Sequence, residues 1–205
     1  MKEFTVPMAL FDFIPVILFF VGSLFIGSFL GKRVKIFDTV FYYIGFILIT
    51  AAGLMKALYK LFYAADIGDF AWLNDSFFTT QTVGFLITGA ALLISLIPVC
   101  KKDGKHPAGA FLPTSVLIGS SVIGMIAMYA ALFKYALGSK KGIAAVFFAI
   151  SFLLGLCMGY LSSQDFDTAS MNWAAQCVNF ADQLAYLIGC VILCRGGEET
   201  AEKAS

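Results

Sequence analysis

Charge is scarce in this chain of 205 residues: 14 Lys and Arg with 13 Asp and Glu amount to 13% of it, and the formal net charge is +1. With no basic stretch longer than a few residues, a nucleic-acid-binding surface is excluded. Histidine is almost absent. His106, in the loop "KKDGKHPAG", stands alone, which excludes multi-histidine metal, haem and di-iron sites and leaves a Ser/His/Asp arrangement without its base. No G-x-S-x-G, P-loop or glycine-rich dinucleotide fingerprint occurs. The five cysteines, Cys100, Cys157, Cys177, Cys190 and Cys194, form no C-x-x-C pair. Small buried thiols are the reading they support, since Cys190 and Cys194 could share a helix face but two thiols are too few for zinc. The expectation is a protein without cofactor, metal or catalytic residue, and not an enzyme.

Apolar residues are abundant: 60% of the chain is hydrophobic, with 22 Phe and a mean hydropathy of +0.88. A bilayer crossing needs about 20 such residues in a row, and runs of that kind cover 8–31, 37–64, 76–99, 110–137, 142–163 and 171–194. The first is longer than a signal-peptide core and has no A-x-A cleavage site, so it reads as a retained helix. Connections are short, which leaves no room for a soluble catalytic domain. An all-α polytopic membrane protein of six transmembrane helices follows, with the lipid bilayer as its first partner and the plasma membrane as the expected location.

Three short matches recur in order along the chain. "GSLFIG" at 22–27 returns as "GSSVIG" at 119–124, "DF" at 69–70 returns at 165–166, and "QTVGF" at 81–85 returns as "QCVNF" at 176–180. They divide the chain into a three-helix repeat over 1–100, a connecting loop over 101–109, a second repeat over 110–195 and a polar tail over 196–205. Three is an odd number of crossings, so the second copy is expected to enter from the opposite side as an inverted-topology repeat. Such repeats are common in transporters, where the substrate lies near the midplane between the halves. Counted on that topology, Lys32, Arg33, Lys35, Lys101, Lys102 and Lys105 oppose Lys2, Lys140, Lys141, Arg195 and Lys203, with Lys56 and Lys60 near that second side too. The positive-inside rule then leans only slightly toward both termini outside.

Within the first segment Ser23, Gly27 and Gly31 are spaced four apart, which lets helix backbones approach closely in lipid. The same positions could dock a second copy or a partner subunit. In size, helix count and these small residues the chain is similar to the substrate-binding membrane subunits of energy-coupling-factor importers, whose first helix docks on a partner. That resemblance implies a binding subunit acting with a partner, and it does not predict a duplicated three-helix plan. In the second segment Lys56 and Lys60 share a helix face. Lys60 is near enough to the helix end to snorkel, and Lys56, deeper, could pair with Asp66, Asp69 or Asp75 or meet an anion. The acids and small polar residues around Asp69 and Asp165 read as helix caps or as a gate or vestibule. Trp72 and Trp173 lie at the same mouths, where an interfacial belt is expected.

The sixth segment is the most informative. Its "NWAAQCVNFADQ" places Asn172, Gln176, Asn179 and Gln183 within about 60° of one another on a helix, with Tyr186 extending the stripe and Asp182 beside it. Lipid cannot neighbour such a stripe, because each unpaired amide would cost several kcal/mol there. Helix-to-helix bonding through Gln81 and the threonines near it is one reading. Lining a polar cavity is the other. The second leads to a transporter or permease that binds a small polar organic solute through Asn172, Gln176, Asn179, Asp182, Gln183 and Tyr186, joined by Gln81 and Lys56. Asp182 would be the proton or cation site if an ion drives the process. An intramembrane enzyme acting on lipids finds no supporting motif.

Overall fold

The computed structural model describes residues 5–34, 36–96, 114–161 and 169–195, and every regular element among them is an α-helix. α1 (Val6–Phe11) and α2 (Phe13–Gly31) form the first crossing; α3 (Ile36–Ala64), α4 (Ala71–Ser95), α5 (Thr114–Gly138), α6 (Gly142–Leu161) and α7 (Ala169–Arg195) form the others. All six crossings are long and apolar enough to span a bilayer. The first is interrupted at Asp12. Pro15 has no N–H to offer the Phe11 carbonyl and its ring crowds that turn, which breaks the helix there. α4 begins at Ala71, earlier than the apolar run, and its N-cap is Phe70 without a side-chain hydrogen bond. The acids expected to cap it do other things: Asp75 lies inside the helix, and Asp66, at φ 57°, closes the end of α3 through Asp66 N–H to Tyr63 and Ile67 N–H to Phe62.

The helices pack as a closed ring in chain order, with α7 returning to α2. Its interior is filled by Tyr42, Phe46, Met128, Tyr129, Phe148 and Tyr186, all buried. Where backbones meet most closely, glycine is required. A Cβ on Gly84 of α4 would lie 2.9 Å from the Gly45 carbonyl of α3, and one on Gly124 of α5 would lie 2.6 Å from the Phe85 carbonyl carbon of α4. Close packing of this kind is what holds helices together where lipid is as apolar as leucine.

Contacts along the seams fix the helix directions. Between α4 and α5, Gly124 lies against Phe85 and Leu86, Gly89 against Ala127, and Ser95 Oγ is 2.7 Å from Tyr135 Oη, so these helices run parallel. Between the first crossing and α7, Gln176 meets Met8, Tyr186 meets Ser23, and Cys194 meets Phe25, again parallel. The two three-helix units therefore run in the same direction. This corrects the expected inversion, which assumed that α5 enters the membrane from the end at which α4 leaves it; instead α5 starts at the end where α4 started. The ends of the described chain also separate, Val6 at one end and Arg195 at the other, whereas the same parity placed both termini on one side.

Charge follows this arrangement. Among the described residues one end carries Lys32, Arg33, Lys134, Lys140, Lys141 and Arg195 with Asp38; the other carries Asp66, Asp69 and Asp75, with Lys60, Lys56 and Asp12 one to two turns inward. At the basic end Lys141 Nζ donates to the carbonyls of Ile192 (3.0 Å) and Leu193 (2.8 Å), filling the open C-terminus of α7.

Candidate functional site

Asp182 stands at the midpoint of α7, thirteen residues from either end, or about 20 Å of helix in each direction. It is 5% exposed. Ser151 Oγ of α6 donates to its Oδ1 at 2.5 Å, and Gln183 Nε2 donates to its Oδ2 at 3.0 Å. Behind Ser151 stands Tyr129 of α5, with 2.6 Å between the hydroxyls. Asp182, Ser151 and Tyr129 thus bind all three helices of the second unit, and each is buried. No Lys or Arg pairs with the carboxylate among the described residues.

One turn further along α7, Tyr186 crosses to the first unit. Its hydroxyl is 3.1 Å from Ser23 Oγ of α2, whose backbone carbonyl accepts from Tyr42 Oη of α3 at 3.2 Å. The Tyr186 ring stacks on Phe19 and meets Tyr129 edge-on, at centroid distances of 5.3 and 6.3 Å. Gly22 leaves room for it, since a Cβ there would be 2.9 Å from the ring. Two turns the other way from Asp182, Gln176 Nε2 donates to the Met8 carbonyl of α1 at 3.1 Å, and Phe11 packs on Trp173 and Phe180. The polar side of α7 therefore lies along the seam between the two units.

Two amide oxygens on that side have no partner: Oε1 of Gln176, a residue 2% exposed, and Oε1 of Gln183. Asn179 lies between them, half-buried, and Asn172 is buried one turn before Gln176. An unpaired carbonyl oxygen in a packed interior costs about 1–3 kcal/mol, and no donor meets either of these two oxygens among the described residues.

The remaining expected residues lie elsewhere. Gln81 is half-buried on α4, which packs chiefly on α3 and α5. Lys56 rests its ammonium over Phe77 of α4, 4.4 Å from the ring centroid, a cation–π contact; no carboxylate bonds it among the described residues. Lys60 does not snorkel, because Asp12 at the interruption of the first crossing holds it at 2.5 Å with both side chains nearly buried. Ser23 and Gly27 face into the bundle, where a Cβ on Gly27 would meet the Tyr43 ring at 2.7 Å, and Gly31 is exposed. Asp69 borders an open hollow of about 270 Å³ with Tyr63, Asp66 and Gly68. Trp72 and Trp173 are exposed near the acidic end. Asp165 lies outside the described residues. Asp12, Tyr42, Tyr129 and Ser151 were not anticipated; a lone acid in the first crossing, "FDF", was the available signal for Asp12.

Comparison with known protein families, with curated proteins and with solved structures gives no match.

Proposed function

We propose that the chain is a small membrane transporter or permease that carries a small polar organic solute along the seam between its two three-helix units. The observation that carries this is the pair of buried, unpaired amide oxygens of Gln176 and Gln183, two turns apart on α7. They suit a solute rich in N–H or O–H donors. Asn179 between them adds a donor and an acceptor, and Asp182 is the site of a coupling ion, since an ionisable group at the midplane is kept for function. Parallel repeats related by an axis along the membrane normal serve transporters as inverted ones do. Thr88 and Gln183, 95 positions apart like the "QTVGF" and "QCVNF" matches, both carry unpaired buried oxygens, which favours a duplicated origin. On this reading the basic end faces the cytoplasm.

The test is a thermal-stability screen of the purified chain against sugars, polyols, amino acids, amines and nucleosides. A solute at a hundredfold excess over its dissociation constant adds about 2.7 kcal/mol. A stabilising class whose effect disappears in Gln176→Leu and in Gln183→Leu supports the reading. If nothing stabilises and both variants are more stable than the parent, the oxygens are packing defects and the reading fails.

A further inference from the structure

We infer, building on the carrier reading, that the ion held at Asp182 is a proton rather than a metal cation, and that Ser151 and Tyr129 are positioning residues whose hydroxyls reverse direction when it binds.

The hydrogens leave little choice. Ser151 has one hydroxyl hydrogen and gives it to Oδ1 of Asp182. The hydrogen between Ser151 and Tyr129 must then come from Tyr129. With the carboxylate ionised, the chain runs from Tyr129 to Ser151 to Asp182. When a proton adds to Oδ1, that oxygen becomes a donor. Ser151 turns its hydrogen toward the Tyr129 oxygen, and the Tyr129 hydrogen turns away from Ser151, with no second acceptor for it among the described residues. No heavy atom has to move, and Gln183 continues to donate to Oδ2. Both protonation states are therefore fully bonded at Oδ1, as a carboxyl that loads and unloads a proton in a dry interior requires.

A metal ion finds no such accommodation. Hard cations take about six oxygen ligands, whereas Oδ1 faces one hydroxyl and Oδ2 faces the nitrogen of the Gln183 amide, which alone of that amide's two ends can donate to a carboxylate. The space nearest Oδ2 adjoins Gly155 of α6, and that residue's other neighbour is the Met125 sulfur of α5. Among groups facing Asp182, α5 presents Tyr129, α6 presents Ser151 and Gly155, and α7 itself adds Gln183. The ionisable group of the first crossing, Asp12, is occupied by Lys60. No fixed cation competes for the carboxylate, so its charge is balanced by binding a proton.

Infrared difference spectroscopy of the whole chain in lipid nanodiscs, titrated between alkaline and acid pH, reads this directly. A carboxylic-acid C=O band is expected to appear on acidification, to vanish in Asp182→Asn, and to move in Ser151→Ala and, less, in Tyr129→Phe. Exchange of choline chloride for sodium or potassium chloride leaves it unchanged. Absence of any band that Asp182→Asn removes overturns the proton assignment, as does loss of the band to sodium or potassium at fixed pH. An unmoved band in both hydroxyl variants overturns their positioning role. A solute that stabilises the chain while no band titrates leaves the carrier reading standing and removes the proton. A titrating band where no solute binds does the reverse.

Discussion

Joining Ser95 to Tyr135 tests the direction of the second unit, on which the placement of the α7 site at the seam depends. Their hydroxyls are 2.7 Å apart at the basic end. Keep the tight crossing of Gly89 on Gly124 but reverse α5, and the two positions move apart along the axis. Ser95 lies six residues beyond Gly89 and Tyr135 eleven beyond Gly124, seventeen residues of rise in all, or about 25 Å. A short bifunctional thiol reagent distinguishes contact from 25 Å without ambiguity. In a background with the five native cysteines replaced, Ser95→Cys/Tyr135→Cys is expected to cross-link rapidly within one chain. Single cysteines at Arg33 and Ser139 should react with an impermeant maleimide from the same side of sealed vesicles. The chain has the length for this arrangement: Leu96 and Thr114 are 18 residues apart, a reach of up to about 60 Å, against about 37 Å for all of α4. No cross-link, with Arg33→Cys and Ser139→Cys labelled from opposite sides, would show that the second unit is inverted after all and would refute the parallel seam.

Further outcomes follow from the packing and the backbone. Gly124→Ala forces a Cβ against α4 backbone that cannot yield, and is expected to lower stability by about 1–3 kcal/mol; Gly159→Ala, with nothing within 4 Å, should raise it by up to about 1 kcal/mol, both read by reversible unfolding in mixed micelles. Ser151→Ala leaves the Asp182 carboxylate and the Tyr129 hydroxyl short of a partner and should cost about 2 kcal/mol, and distinctly less in an Asp182→Asn background; equal losses in the two backgrounds would separate the pair. Lys60→Met strands Asp12 in the bundle at a cost of about 3 kcal/mol or more, much of it recovered in Lys60→Met/Asp12→Leu. Lys140, at φ 56° in the turn after α5, should gain about 1 kcal/mol on replacement by Gly, which adopts that conformation freely.

The six crossings were legible because bilayer thickness dictates the length of an apolar run, and that signal survives any uncertainty about packing. Asn172, Gln176 and Asp182 were legible for the complementary reason: polar groups inside such a run must turn inward. Their partners were not. Ser151, Tyr129, Ser23 and Tyr42 are ordinary residues in apolar helices, and only the ring order brings α5, α6 and α2 around α7. Lys60 was misread because distance to a helix end says nothing about an acid 48 positions earlier. Helix direction was misread by counting crossings, a method that treats each connection as confined to one side.

The charges bear on that last point independently of any contact. Insertion orients a membrane chain by the imbalance of Lys and Arg flanking its spans. Inverted units would share the basic residues almost evenly between the faces and leave the chain with little to orient it. Among the described residues parallel units gather Lys32, Arg33, Lys134, Lys140, Lys141 and Arg195 toward one end, against Lys56 and Lys60 with Asp66, Asp69 and Asp75 toward the other. The helix directions set by the glycine crossings are thus the ones that give the chain a single orientation.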